Sequence, residues 1–318
     1  MLQPLPDTTR QKVSIITVNY NQTELTCALL DSLKRQDYPE TEVIVVDNAS
    51  REDPQATILA RFPGVIYLRS DINLGFAGGN NLGLTAATGD YYFFVNNDAE
   101  LTPACIGRLL DVFRDYPKAG VVSPLICYAR QPDQAGPDII QYAGMTQIHP
   151  LTGRNRTIGA KMPDLGQFSV PQETHYAHGA AMMLPRRVLD KAGRMTEDFF
   201  LYYEELDWCE RIRGAGYGVW VEPRAKVYHK ESMSVQKLGA LKTYFLNRNR
   251  VYFMRRHCSG WKNALFTAFL LLVTAPKNTL LYLLRGETDN LRAFWQGIGW
   301  NFGFTNSPYE RFSTPSKG

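Results

Sequence analysis

The 318-residue sequence predicts an α/β fold: a mostly parallel twisted sheet flanked by helices, with a C-terminal helical, membrane-associating region. Three observations predict it. Short β-branched runs alternate with helical spacings through about the first 125 residues, as parallel sheets with right-handed crossovers require. Each run ends in polar residues, where open parallel sheets place their ligands. The last 80 or so residues change composition abruptly.

The elements follow in order. Val13–Val18 (VSIITV) is a buried strand ending in Asn19-Tyr20-Asn21, and Glu24, Leu25, Leu29 and Leu33 then carry helical spacing. Asn21 with Glu24 three residues on predicts a capping box, and Pro39 closes the connection. Val43–Asp47 and Val65–Leu68 are the second and third strands, and Tyr91–Val95 is the fourth, running into Asn96-Asn97-Asp98. Residues 131–166 are rich in Pro and Gly and predict a long loop. Order returns at Gly179–Leu184, at the aromatic and acidic run Phe199–Asp207 and in a helix through Ile212 ended by Gly214 and Gly216. Tyr217–Val221 and Ala225–His229 predict two further strands. This divides the chain into residues 1–130, a ligand-binding α/β half, residues 131–235, which complete the same domain, and residues 236–318, a basic and apolar helical region.

In that last region nine Lys and Arg and no Asp or Glu lie between Ser232 and Gly286, and Leu238, Leu241, Phe245 and Tyr252 keep helical spacing. The near-apolar run Ala264–Ala275 is interrupted by Pro276-Lys277 and is shorter than the roughly 20 residues a bilayer span needs. An interfacial region drawn to an anionic membrane surface is expected, against the alternative of a core helix beneath a solvated basic face. Five scattered cysteines without C-x-x-C spacing argue against a disulfide framework or a zinc site. The first residues, MLQPLPDTTRQK, contain no apolar signal core, so a cytoplasmic protein, peripheral on the inner face of the cell membrane, is expected. A net charge of +4 is too small to argue for nucleic acid, and none is expected as a partner.

Several constellations carry chemistry. Asp47, just past a buried strand, can accept hydrogen bonds from a base or ribose, although an Asp opening a turn is common. In Asn73-Leu-Gly-Phe-Ala-Gly-Gly-Asn80-Asn81, Gly75, Gly78 and Gly79 would permit close approach to a phosphate, or a tight packing turn. Asp98 is a hard oxygen ligand suited to Mg²⁺ or Mn²⁺, and His229 closes a late strand. Glu204, Glu205 and Asp207 crowd a helix start, where the helix dipole favours their ionised forms, within an aromatic setting that suits a sugar cleft.

In this order the segments VSIITVNYNQ, VIVVDNAS, NLGFAGGNNLG, YYFFVNNDAEL, GAAMMLPRRVL and DFFLYYEELDWCERIRGAGYGVW resemble the family 2 inverting glycosyltransferases of GT-A fold, closest to their rhamnosyltransferase-like branch. The resemblance covers about residues 13–234. It implies that Asp47 and the Thr17–Asn19 strand end hold the nucleoside. Asn73, Gly78, Asn80, Asn81 and Asn97 would lie at the donor's phosphates or sugar, and Arg250 would reach the diphosphate. Asp98 would stand at the metal end of a D-x-D element, with Asn96 at its first position and His229 completing the Mg²⁺ or Mn²⁺ site. Glu205 would be the catalytic base, flanked by Glu204 and Asp207. Two positions depart from the family pattern, Asn96 for Asp and Glu205 for Asp, and both are read as tuning. The implied partners are a nucleotide-sugar donor, with dTDP-rhamnose favoured, and a glycan or lipid-linked acceptor. A nucleotidyltransferase is the first rival, but VSIITVNYNQ lacks a basic glycine-rich signature. A degraded transferase serving as a nucleotide- or glycan-binding scaffold is the second, motivated by Asn96.

Overall fold

A computed structural model describes residues 11–130, 135–230 and 239–304. Leu238, the boundary at residue 235 and the first residues of the expected 131–166 loop lie outside the described residues. The chain builds one ten-stranded sheet in the order β3-β2-β1-β4-β9-β6-β10-β5, with β7 on β6 and β8 on β10. The strands are β1 Val13–Asn19, β2 Thr41–Asn48, β3 Ile66–Ser70, β4 Tyr91–Val95, β5 Ala99–Leu101, β6 Ala119–Tyr128, β7 Ile140–Tyr142, β8 Gln172–Glu173, β9 Ala181–Pro185 and β10 Gly218–His229. The first four run parallel, as expected, whereas β9 is antiparallel to both β4 and β6, so the second half of the sheet is mixed.

Helices cover both faces. On one side α1 (Thr23–Leu33) and α4 (Cys105–Asp115) bring Leu29, Leu109, Val112 and Phe113 against Val13, Ile15, Phe93 and Val227. On the other, α3 (Gly75–Leu84), α5 (Arg186–Ala192) and α6 (Glu204–Gly214) pack with the C-terminal helices over Ile16, Ile44, Val46 and Phe94. Trp208 of α6 lies edge-on to Phe94 at 5.4 Å, an aromatic pair at the centre of this layer. All five cysteines are free thiols.

Some elements differ from the sequence reading for identifiable reasons. Asn21 does not cap α1; its Oδ1 accepts from the Arg51 amide, and α1 starts without a side-chain cap. The two strands expected between Tyr217 and His229 are one strand, with a register shift between Gly218 and Val219 and a bulge between Glu222 and Lys226 that absorbs Pro223. β6 and α4 carried no expectation. In β6, Pro124 sits opposite Glu222, where that bulge begins, so its missing N–H interrupts no regular ladder. The expected loop carries β7 and the isolated bridges Ile139–Pro163 and Met145–Thr157.

Among its described residues the C-terminal region is mainly helical: α7 (Gly239–His257), α8 (Trp261–Phe269), α9 (Ala275–Leu284) and α10 (Thr288–Trp300). Pro276 does not end the helix. A π turn over Leu270–Thr274 precedes it, and wide turns of this kind accommodate a proline that cannot donate to the preceding turn. Trp261–Leu284 is therefore one 24-residue helical stretch, whose most apolar 18-residue window has a mean hydropathy of 1.5 and is only 17% buried. It is long and apolar enough to cross a membrane by length and composition, and its exposure rules out the core-helix alternative. α10 lies directly against α7 at Gly297, where an added Cβ would fall 2.6 Å from the Tyr244 carbonyl.

Candidate active site

Strand register builds the first part of the site. Asn19, Asp47 and Arg69 are consecutive neighbours across the carboxyl ends of β1, β2 and β3. Asn19 donates to Asp47 Oδ1 at 2.8 Å, the Ser50 amide donates to Asp47 Oδ2 at 3.1 Å, and Arg69 lies 3.3 Å from the same oxygen. Thr26 Oγ1 donates to Asn19 Oδ1 and accepts from Asn97 Nδ2, so a buried polar chain runs from Asp47 to the turn after β4. Thr17 is fully buried, and its hydroxyl finds no partner among the described residues. A buried polar atom left unpaired is costly, which marks this strand end as a place for a ligand group.

The second part is a cleft of about 270 Å³ whose wall includes Asn96, Asp98, His229, Glu204, Glu205, Gln141, His178, Phe76, Tyr202 and Lys242. The antiparallel pairing of β10 with β5 sets His229 opposite Ala99, which lays the imidazole across Asp98. Nε2 of His229 is 3.1 Å from Asp98 Oδ1 and 3.3 Å from Asn96 Nδ2, while Nδ1 is 2.9 Å from Gln141 Oε1. With Nδ1–H donated to Gln141, Nε2 turns a lone pair toward the carboxylate. Two acceptors then face each other, an arrangement that a shared cation relieves. Beside it burial, then the nearby His229, push the His178 imidazole down to about 3, so it is neutral.

Glu204 and Glu205 open α6 from the opposite wall. Burial, then the neighbouring carboxylate, raises Glu204 well above the usual range. Burial raises Glu205 to about 7, against the opposing pull of amides at the helix start. The helix dipole, worth about 1 kcal/mol, loses here to desolvation. One oxygen of each carboxylate, Oε2, is buried without a hydrogen-bond partner.

The chain is similar to known proteins in both sequence and fold. A family profile described as glycosyl transferase family 2 matches residues 14–193, more than half of the chain. The chain belongs to this family. It is 25% identical over 268 residues to the N-acetylglucosaminyl-diphospho-decaprenol L-rhamnosyltransferase of Mycobacterium tuberculosis, covering 79% of this chain and 86% of that protein. It is 24% identical over 208 residues to the low-salt glycan biosynthesis hexosyltransferase Agl10 of Haloferax volcanii, covering 63% and 61% of the two chains. A Pyrobaculum calidifontis mannosyltransferase solved with GDP-mannose and Mn²⁺ superposes with a TM-score of 0.56 at 19% identity, over 97% of this chain and 80% of that one. The fold is therefore that of the GT-A glycosyltransferases.

Within this family 2 glycosyltransferase, the expected site residues divide. Asp98, His229, Asn96, Glu204 and Glu205 share the cleft. Asp47, Asn19 and Asn97 form the adjoining chain rather than the cleft wall itself. The remaining ones are held by structural contacts. Asp207 is fully buried on the other side of α6, receiving hydrogen bonds from Thr196, Arg211, Arg256 and His257. Burial alone would raise its carboxyl, but His257, Thr196 and Arg211 outweigh that and hold it far below the usual range. Asn81 ties α3 to the Met195 carbonyl and Glu197, Asn80 donates back to the Phe76 carbonyl, and Asn73 pairs with Asn48 and the Gly75 amide. Gly78 brings α3 against its own preceding turn, since a Cβ there would meet Leu74 at 2.8 Å. Arg250 is 4% exposed, donates to Asn247 and lies against Gly153, outside the cleft wall.

On the C-terminal side the cation in the cleft is instead Lys242, from α7. Neither Lys242 nor Gln141 carried a sequence signal: one sits among many basic residues, the other in a stretch without periodicity. A second acidic cluster, Cys127, Asp138 and Asp164, brings ligand atoms within 4.8 Å of one another. Lys226 Nζ stands 2.8 and 2.7 Å from its two carboxylates, so an ammonium already balances them.

Proposed function

We propose that this protein is an inverting, divalent-metal-dependent glycosyltransferase that moves a sugar, rhamnose by kinship, from a nucleoside diphosphate onto a hydroxyl of a lipid-linked glycan at a membrane surface. The observation that carries this reading is the opposition, across one cleft, of the Glu204–Glu205 carboxylates and the Asp98–His229 pair.

Asp98, His229 and Asn96 fit a hard divalent cation by the chemistry of their donors, and the face-to-face acceptors on Asp98 and His229 favour one. Such a cation, Mg²⁺ or Mn²⁺, would supply charge neutralisation for the departing diphosphate. The rest belongs to the chain's own residues. Asp47, Asn19 and Thr17 hold the nucleoside at the strand ends, and Lys242 adds positive charge over the cleft. Glu205, ionisable near neutrality, takes the proton of the acceptor hydroxyl as it attacks the anomeric carbon from the face opposite the leaving group. Burial, and then the negative charge of the adjacent Glu205, favour the protonated form of Glu204.

The membrane part of the proposal draws on the exposed face of α8 and α9. Trp261, Leu272, Leu280, Leu283 and Leu284 are all more than half exposed. Beside them lies an apolar hollow of about 590 Å³ lined by Leu271, Trp295, Ile298, Phe302 and Phe304, a size and character suited to a lipid chain.

The test is a donor screen with a polyprenyl-diphosphate-sugar acceptor, following nucleoside diphosphate release with and without a chelator. Glu205→Gln is expected to lower kcat by about 10²–10⁴-fold in a folded protein. Full turnover in that variant would remove Glu205 from the base position, and release of pyrophosphate would point to nucleotidyl transfer instead.

A further inference from the structure

The segment that delivers the two cleft carboxylates is built against its own backbone preference. Phe200, Tyr202 and Tyr203, immediately before α6, have φ of 60°, 71° and 74°. Bulky side chains rarely enter this region, and each residue held there costs on the order of 1–3 kcal/mol. None is glycine, so the surroundings must impose the shape.

Two elements do so. From α3, the Phe76 amide donates to the Phe200 carbonyl at 2.7 Å. This approach requires glycine at position 75, where an added Cβ would lie 2.3 Å from the same oxygen. From α7, the side-chain amide of Asn249 reaches three carbonyls of the turn, those of Phe199, Leu201 and Tyr202, each at 2.8 Å. An amide nitrogen has two protons, so three acceptors crowd about two donors, and the turn is gathered round this one atom. Asn249 is fully buried. Its orientation is fixed from behind: Arg248 Nε donates to Asn249 Oδ1 at 3.0 Å, so the NH₂ end must face the turn. Arg248 is itself fully buried, donates through Nη2 to the Asp198 carbonyl and lies 4.3 Å from the centroid of Trp300 on α10.

We infer that Asn249 is a positioning residue of the transfer reaction: its amide holds the 199–203 turn in the left-handed shape that aims Glu204 and Glu205 into the cleft. The inference rests on the assignment of Glu205 as base. Asn249 does not itself line the cleft; it reaches the cleft-wall residues Leu201 and Tyr202 from behind, through their carbonyls. Without its donors the turn relaxes toward ordinary backbone angles, and the α6 start shifts with it. Misplacement by about 1 Å at a reacting group costs about 10²-fold in rate.

The experiment compares Asn249→Ala and Asn249→Ser with the full-length enzyme, measuring kcat, donor KM and hydrogen–deuterium exchange of the 200–206 amides. For the alanine variant, kcat is expected to fall about 10²-fold while donor KM stays within about threefold, because the nucleoside subsite on β1 and β2 is untouched. Exchange over 200–206 should quicken while the β1 and β4 amides keep their protection. The serine variant, which keeps one donor, should recover part of the lost kcat and stands in if alanine does not fold. A folded variant with kcat within twofold of wild type, or with kcat falling only in proportion to the folded fraction, overturns the inference. Full activity in Glu205→Gln would instead strike the base assignment, leaving the effect of Asn249 on loop exchange to be read by itself.

Discussion

Asp207 and Glu205 are two positions apart in sequence and have opposite fates. Helix geometry turns about 100° per residue, so two positions on a helix point to nearly opposite sides. Glu205 faces the cleft, while Asp207 faces the ion-pair network of Arg211, Arg256 and His257. A sequence shows three acids in four residues; only the azimuth shows which are available to a substrate. Protonation follows the same division. The folded Glu205 carboxyl titrates near 7, above its ordinary 4.5, so between these values the native state binds more protons than the unfolded chain. Its contribution to stability is therefore complete below about 4.5 and lost as the pH rises through about 7. Glu205→Gln removes the ionisation, and its thermal midpoint relative to wild type is expected to be higher at pH 8 than at pH 5. Melting curves at the two values check this, and equal differences would show that the carboxylate is solvated. The same variant should gain stability at pH 8 while losing turnover, the usual relation at a strained catalytic position.

At the scale of elements, α3 shows how closely helix and sheet approach. Gly83 lies over β1 so tightly that an added Cβ would fall 2.4 Å from Ile16 Cγ2, and one at Gly79 would meet Val18 at 2.9 Å. In an exposed helix, glycine to alanine stabilises by about 1 kcal/mol. Here the sign reverses: Gly83→Ala should destabilise by about 1–3 kcal/mol through overpacking, seen as a lower midpoint in urea. A stabilised variant would mean that α3 slides on the sheet. The glycines of this segment were legible as a requirement for close approach, but what approaches is the sheet and, at Gly75, the turn before α6. β1, β2 and β4 were legible because their central runs are buried on both faces and rich in β-branched or aromatic residues. β6 was not, since Ser123 and Pro124 interrupt its pattern, and only the bulge of a strand some 95 residues later explains how a proline fits there. Of the candidate site, Asp98, His229 and Glu205 were legible because each stands where a sheet or helix ends. Lys242 and Asn249 were not, because their roles depend on how α7 docks across the chain.

At the scale of the whole molecule, one surface differs from the rest. The stretch Trp261–Leu284 keeps its leucines outward except for the buried Leu270, with Lys262, Lys277 and Arg285 at its ends and middle. An apolar stripe with basic flanks is attracted to anionic lipid, each Lys or Arg near the surface contributing about 1 kcal/mol at low salt. The protein is expected to co-sediment with vesicles containing phosphatidylglycerol. Replacing Leu272 and Leu284, 77% and 75% exposed, by Glu should weaken this at least tenfold without changing the circular dichroism spectrum. Equal binding by the double variant would remove this face from the membrane.

The contact at Gly297 gives this geometry a further meaning. Because α10 rests on α7 backbone to backbone, and α7 carries both Lys242 and Asn249, no pliable tether among the described residues separates the exposed apolar helices from the cleft. For a protein seated on a bilayer, the height of the cleft above the lipid would then be a constant of the fold. Such an enzyme measures its acceptor like a gauge, serving sugars that stand at one level over the membrane and passing over those presented higher or lower.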